Sequence, residues 1–92
     1  MNTATVTARS YTSPDEPSEP GLCLRGAGWA LRALIAELPS ALDHDASAAY
    51  LRGTAPTEVH VWRALRGATA EEVEAGVRRA ALLADLDFEV AS

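Results

Sequence analysis

Between Gly28 and Leu38 the leucines and isoleucine fall at Leu31, Leu34, Ile35 and Leu38, with Leu24 and Ala27 continuing the series upstream. Steps of three and four put these on one face of a helix. Gly26 and Gly28 weaken a first turn at Leu24, so the spacing predicts a helix from near Gly28, which Pro39 closes. A second series, Val59, Trp62 and Leu65 with Val61 beside them, has the same spacing. With Pro56 at its start and Gly67 just past its end, it predicts another helix. Thr69-Ala70-Glu71-Glu72 is a capping box that opens a third, in which Val73, Val77, Ala80 and Ala84 point inward and Glu74 pairs with Arg78. Beyond Ala84, Leu86, Phe88 and Val90 alternate with Asp85, Asp87 and Glu89, the period of a half-buried strand. Pro56 to Ala84 is therefore expected to be a helix–turn–helix.

Two stretches carry weaker patterns. Ser40 to Arg52 fits a helix over 41–52, opened by Ser40 with Asp43 and stopped at Gly53. It also fits a hairpin with Ala41–Asp43 as one strand, His44–Ser47 as the turn and Ala48–Leu51 as the return. Thr3 to Tyr11 suits a short strand or no regular structure, and Ser13 to Pro20 has three prolines, three acids and no apolar side chain to bury. Residues 1–20 are thus expected to be a flexible, acidic, Pro-rich tail and residues 21–92 a single globular domain. The fold class expected is a small α+β domain, mainly helical, with room for a short β element in a winged-helix-like arrangement. An all-α fold is the alternative.

Ninety-two residues leave room for one domain. A net charge of -5 and a pI near 4.8 argue against an electrostatic grip on nucleic acid or an anionic membrane. No apolar run is long enough to cross a bilayer, and the first residues lack the features of a signal peptide. The expected location is cytoplasmic, with no membrane partner. Cys23 is the single cysteine, so neither a disulfide within the chain nor a cysteine-based zinc site is expected. His44 stands between Asp43 and Asp45, but sequence neighbours fan out on a helix and face opposite ways on a strand. His60 lacks the spacing of a paired helical ligand, so no metal site is expected. A buried thiol acting as a small hydrophobe accounts for Cys23. No phosphate loop follows Gly26 and Gly28, and neither a catalytic site nor a cofactor is expected.

Thr57-Glu58-Val59-His60-Val61-Trp62-Arg63-Ala64-Leu65-Arg66-Gly67-Ala68-Thr69-Ala70-Glu71-Glu72-Val73 resembles the helical segment of PqqD-like proteins, the RiPP recognition elements. Thr57, Val61-Trp62, Gly67 and Thr69 to Val73 match that family's pattern, and Tyr50-Leu51-Arg52-Gly53 is similar to its last strand. Departures are the helix read over 27–38, where the family has a hairpin or meander, and the strand-like ending in place of a third helix. The resemblance implies a module without catalysis that captures the leader of a precursor peptide for a modifying enzyme, as used in natural product biosynthesis. The leader would add as a strand to a sheet edge and pack apolar side chains beside a helix. Ala49, Tyr50 and Leu51 would then form the peptide-binding edge and Trp62 a structural anchor beneath the groove. The function expected is a non-catalytic module for a peptide or protein partner. Two other readings stay open: a DNA-binding helix–turn–helix regulator, and a small helical subunit of a larger complex. Neither the partner nor the oligomeric state follows from the sequence.

Overall fold

The computed structural model describes residues 4–12, 20–53, 56–63 and 69–91, with all their side chains except those of Ala48 and Tyr50. The elements are β1 (Thr5–Thr12), β2 (Pro20–Arg25), α1 (Gly28–Ala36), β3 (Leu42–His44), α2 (Ala46–Leu51), β4 (Glu58–Arg63), α3 (Ala70–Leu83) and β5 (Asp87–Val90). The strands form one five-stranded sheet in the order β3-β4-β2-β1-β5. β1 pairs antiparallel with β2, β2 with β4, and β4 with β3, whereas β5 runs parallel to β1. β4 therefore runs parallel to β5, and α3 is the crossover between them.

The domain is α+β but not mainly helical, and among the described residues there is no helix–turn–helix. Over Val59 to Arg63 the expected helix is instead β4; Leu65 and Gly67, its expected end and stop, lie outside the described residues. Val59 and Val61 alternate with His60 and Trp62, and β-branched and aromatic residues suit a pleated, half-buried surface. The three-residue step from Val59 to Trp62 coexists with this two-residue period. Pairing with β2 on one side and β3 on the other decides between them. Winged-helix-like and all-α arrangements are excluded by the same sheet.

The amino-terminal region also differs from expectation. Thr5–Thr12 is not a tail but β1, bonded between β2 and β5. Val6 and Ala8 are buried, while Thr5, Thr7 and Arg9 are exposed. Of the linker expected over 13–20, Pro20 instead opens β2, and residues 13–19 lie outside the described residues. Ser40 to Arg52 divides between its two readings: the first strand of the hairpin forms as β3, and the return strand is the helix α2.

Helix α1 starts at Gly28 as the spacing predicts, buries Ala30, Leu31 and Leu34, and ends before Pro39. Leu24, read with that series, belongs to β2. Helix α3 carries the predicted cap: the Thr69 hydroxyl accepts from the Glu72 amide at 3.2 Å. Val73, Val77, Ala80 and Ala81 are buried against the sheet. Its last turn is a Schellman motif: the Leu86 amide donates to the Ala81 carbonyl at 2.9 Å, and the Asp85 amide to that of Leu82 at 3.1 Å. Asp85 takes the left-handed conformation, φ 59°, at the position glycine usually fills. This turn sends the chain back along the sheet as β5, the strand expected from the alternation.

Val6, Ala8, Leu22, Leu24, Val59 and Val61 form the sheet side of the core, and residues of α1 and α3 form the other side. No described polar or charged residue is buried there. This is one apolar layer between the sheet and its helices.

Candidate functional site

Because side chains alternate along a strand, the face of the sheet opposite the core carries Tyr11, Cys23, Arg25, Glu58, His60 and Trp62. Trp62, expected as a structural anchor beneath a groove, is half-buried on this face of the sheet. Gly21 pairs with Tyr11 on one side and Trp62 on the other. A Cβ at Gly21 would stand 2.9 Å from the Val61 carbonyl oxygen, and its absence leaves the surface flat. Tyr11 crosses that gap to stack on His60, with ring centroids 4.1 Å apart.

His60 is the centre of a polar network. Its Nδ1 lies 2.7 Å from Asp45 Oδ2, and its backbone N–H donates to Asp45 Oδ1 at 2.9 Å. A carboxylate only accepts, so Nδ1 carries a proton and Nε2 presents the ring's lone pair when the ring is neutral. Nε2 lies 3.8 Å from Glu58 Oε1. The other oxygen of Glu58 accepts from Arg25 Nε at 2.7 Å. Cys23 pairs directly across from His60 and is 7% exposed. Burial raises the pKa of its thiol above the ordinary value and Glu58 adds to this, with Arg25 acting in the opposite direction. One donor atom from each of Cys23, Glu58 and His60 lies within 4.8 Å of the others. The sequence reading missed this cluster because its members stand on different strands. Only the β2–β4 register brings Cys23 opposite His60. As expected for a strand, His44 turns away from Asp43 and Asp45; its Nδ1 accepts from the Ala46 amide at 3.2 Å.

The other candidate surface is a sheet edge. Ala49 and Leu51, expected on an edge strand, lie on α2, with Ala49 buried and Leu51 exposed. Tyr50 shares that helix, and its side chain lies outside the described residues. Residues 49–51 therefore provide no edge for strand addition. The ends of the sheet are β3 and β5. Just past β3 the Asp45 amide donates inward to the His60 carbonyl, so alternation turns the amides of Leu42 and His44 outward. Both are already bonded, Leu42 to the Pro39 carbonyl at 3.0 Å and His44 to Asp43 Oδ1 at 2.9 Å. On β5 the amides of Asp87 and Ala91 donate inward to Ala4 and Ala8 of the β1 side. The N–H and C=O groups of Phe88 and Val90 thus face outward, and among the described residues no strand lies beyond them.

The flanks of β5 are chemically distinct. Phe88 and Val90 project toward the helix side, where the Arg78 guanidinium lies 5.0 Å over the Phe88 ring. Leu82, one turn further along α3, is 78% exposed, and Val90 is 41% exposed. Asp87 and Glu89 project from the opposite face and are exposed. No protein-family model, curated protein or solved structure matches this chain. Among the described residues, no helix is long and apolar enough to cross a membrane.

Proposed function

We propose that this protein is a non-catalytic binding module that captures an extended peptide segment as an added strand on β5. The observation that carries this reading is the outward-facing main chain of Phe88 and Val90, at the edge whose counterpart on β3 is already bonded. Strand addition takes its affinity from main-chain hydrogen bonds and its selectivity from alternate side-chain positions. The peptide's side chains on the helix side meet Val90, Phe88 and the exposed Leu82, which calls for apolar residues. Those on the other side meet Asp87 and Glu89, which calls for Lys or Arg. A second copy of β5 would set these acids against one another, so the same charges oppose pairing between two molecules. Capture of a leader peptide for a modifying enzyme is the particular case that the sequence resemblance over Thr57 to Val73 implies, although Glu58–Arg63 within it is a strand and not the helix of that family.

Ordering a flexible peptide offsets much of the contact energy, so the expected affinity is on the order of micromolar. The test is fluorescence anisotropy with a labelled peptide of alternating lysine and valine. Val90→Pro removes one outward N–H and leaves the β1 ladder intact. It should weaken binding about threefold to tenfold, the equivalent of one hydrogen bond. Replacing each lysine of the peptide with glutamate should abolish binding. Equal binding of both peptides, or a Val90→Pro variant with wild-type affinity, would overturn the proposal.

A further inference from the structure

On the opposite face of the sheet, away from the β5 edge, we propose that Cys23, Glu58 and His60 bind a divalent transition-metal ion of the zinc class. Its ligands would be Cys23 Sγ, Glu58 Oε1 and His60 Nε2. Thiolate, imidazole and carboxylate together form a donor set typical of zinc, and three protein ligands leave one tetrahedral position for water or another ligand. A tetrahedral zinc with ordinary bond lengths holds an imidazole nitrogen and a carboxylate oxygen about 3.3 Å apart. The 3.8 Å between His60 Nε2 and Glu58 Oε1 is close to that separation. With all three donors inside 4.8 Å of one another, side-chain adjustment alone closes the site.

The remaining atoms of two ligands are already held. Asp45 accepts from His60 Nδ1 and orients Nε2 into the cluster, the carboxylate–histidine arrangement that supports many metal sites. Arg25 holds Glu58 by Oε2 and leaves Oε1 for the metal. Both tethers cross between elements, Asp45 lying at the end of β3 and Arg25 on β2. Cys23 is buried, His60 half-buried and Glu58 exposed, so the ion would sit at the surface with its open position toward solvent. A catalytic Asp–His–Cys triad is a poorer account of the same atoms. Burial raises the thiol's pKa, which disfavours a nucleophilic thiolate, and Glu58 shares the space beside Nε2. On metal binding the Cys23 thiol releases its proton to solvent and the thiolate bonds to the ion.

The test is titration of the full chain with Co(II), an optical stand-in for zinc, in the absence of other metals. The expected result is a thiolate-to-cobalt charge-transfer band in the near ultraviolet, saturating at one ion per chain and displaced by Zn(II). Cys23→Ser should remove the band, and His60→Gln should abolish tight binding. Circular dichroism would establish that each variant is folded. Asp45→Asn acts only through His60. It should weaken binding about tenfold or more while the band itself survives at saturation, which a merely structural role would not produce. Should a variant fail to fold, wild-type protein supplies a second readout: Zn(II) should slow alkylation of Cys23 by iodoacetamide. No charge-transfer band in folded wild-type protein, a band that persists in Cys23→Ser, or alkylation unaffected by Zn(II) would each overturn the proposal.

Discussion

The two edges of this sheet follow the same backbone rules and end in different states. β3 is three residues long and runs through Asp45 directly into α2. Pro39 and the Asp43 side chain take up its outward amides. β5 leaves α3 through a Schellman turn, pairs with β1 on one side and presents Phe88 and Val90 on the other. An edge with satisfied donors gains little from an added strand, because each new hydrogen bond must replace an existing one. An edge whose donors face solvent exchanges water for a partner at small cost. Edge strands are also aggregation hazards, and short length and charge are common protections. On β5 the charges lie on one face only, so they repel a like strand while still admitting a basic one.

The largest effect expected from testing this contrast is on β5 itself. Alternation points the Glu89 amide toward β1, so Glu89→Pro removes a ladder hydrogen bond and leaves a carbonyl of β1 unpaired. A loss of about 2–3 kcal/mol is expected by chemical denaturation, against less than about 0.5 for Val90→Pro. Equal losses for the two variants would mean that the outward and inward assignments are wrong.

A smaller effect is expected at β3. Asp43→Ala removes the acceptor for the outward His44 amide and should cost about 0.5–1.5 kcal/mol. It should also open a second, weaker site for the lysine–valine peptide, visible as a change in stoichiometry by titration calorimetry. Unchanged stoichiometry would show that something other than hydrogen bonding keeps β3 closed.

The smallest effect concerns the turn that delivers β5. Asp85 has φ 59° and places a negative charge at the carboxyl end of α3, which is unfavourable on both counts. Asp85→Gly should raise stability by about 0.5–1 kcal/mol and leave peptide binding unchanged. A thermal midpoint that falls would mean that the Asp85 side chain makes a compensating contact in the folded protein.

The β5 edge was partly legible before the structure. The alternation of Leu86, Phe88 and Val90 with acids identified a strand, but a strand's pattern does not say whether it lies at the centre or the edge of a sheet. The cluster at His60 was not legible. Cys23, Asp45, Glu58 and His60 share no local spacing, and each also has an ordinary role as a core thiol, a turn acid or a solvated face. The edge first expected at 49–51 failed for a different reason. The alanines at 46, 48 and 49 suit a helix, and the residues expected as the hairpin's turn, His44 to Ser47, instead end β3 and open α2.

What the sequence by itself determined is whatever neighbours within one turn can settle. The Thr69 N-cap, the inward stripe of α3 at Val73, Val77 and Ala80, the stop of α1 before Pro39 and the strand period after Ala84 are all local, and all appear in the fold. What only the tertiary structure decided is whatever depends on a partner distant in sequence. Thr5–Thr12 buries just two apolar side chains and has little reason to be a strand alone; β5 pairs with it over Thr5 to Ala8 and β2 over Thr7 to Thr12. Glu58–Arg63 carries both a helical and a strand period, and hydrogen bonds to β2 and β3 select the second. A helix closes its hydrogen bonds within its own segment, whereas a strand must borrow them from elsewhere in the chain.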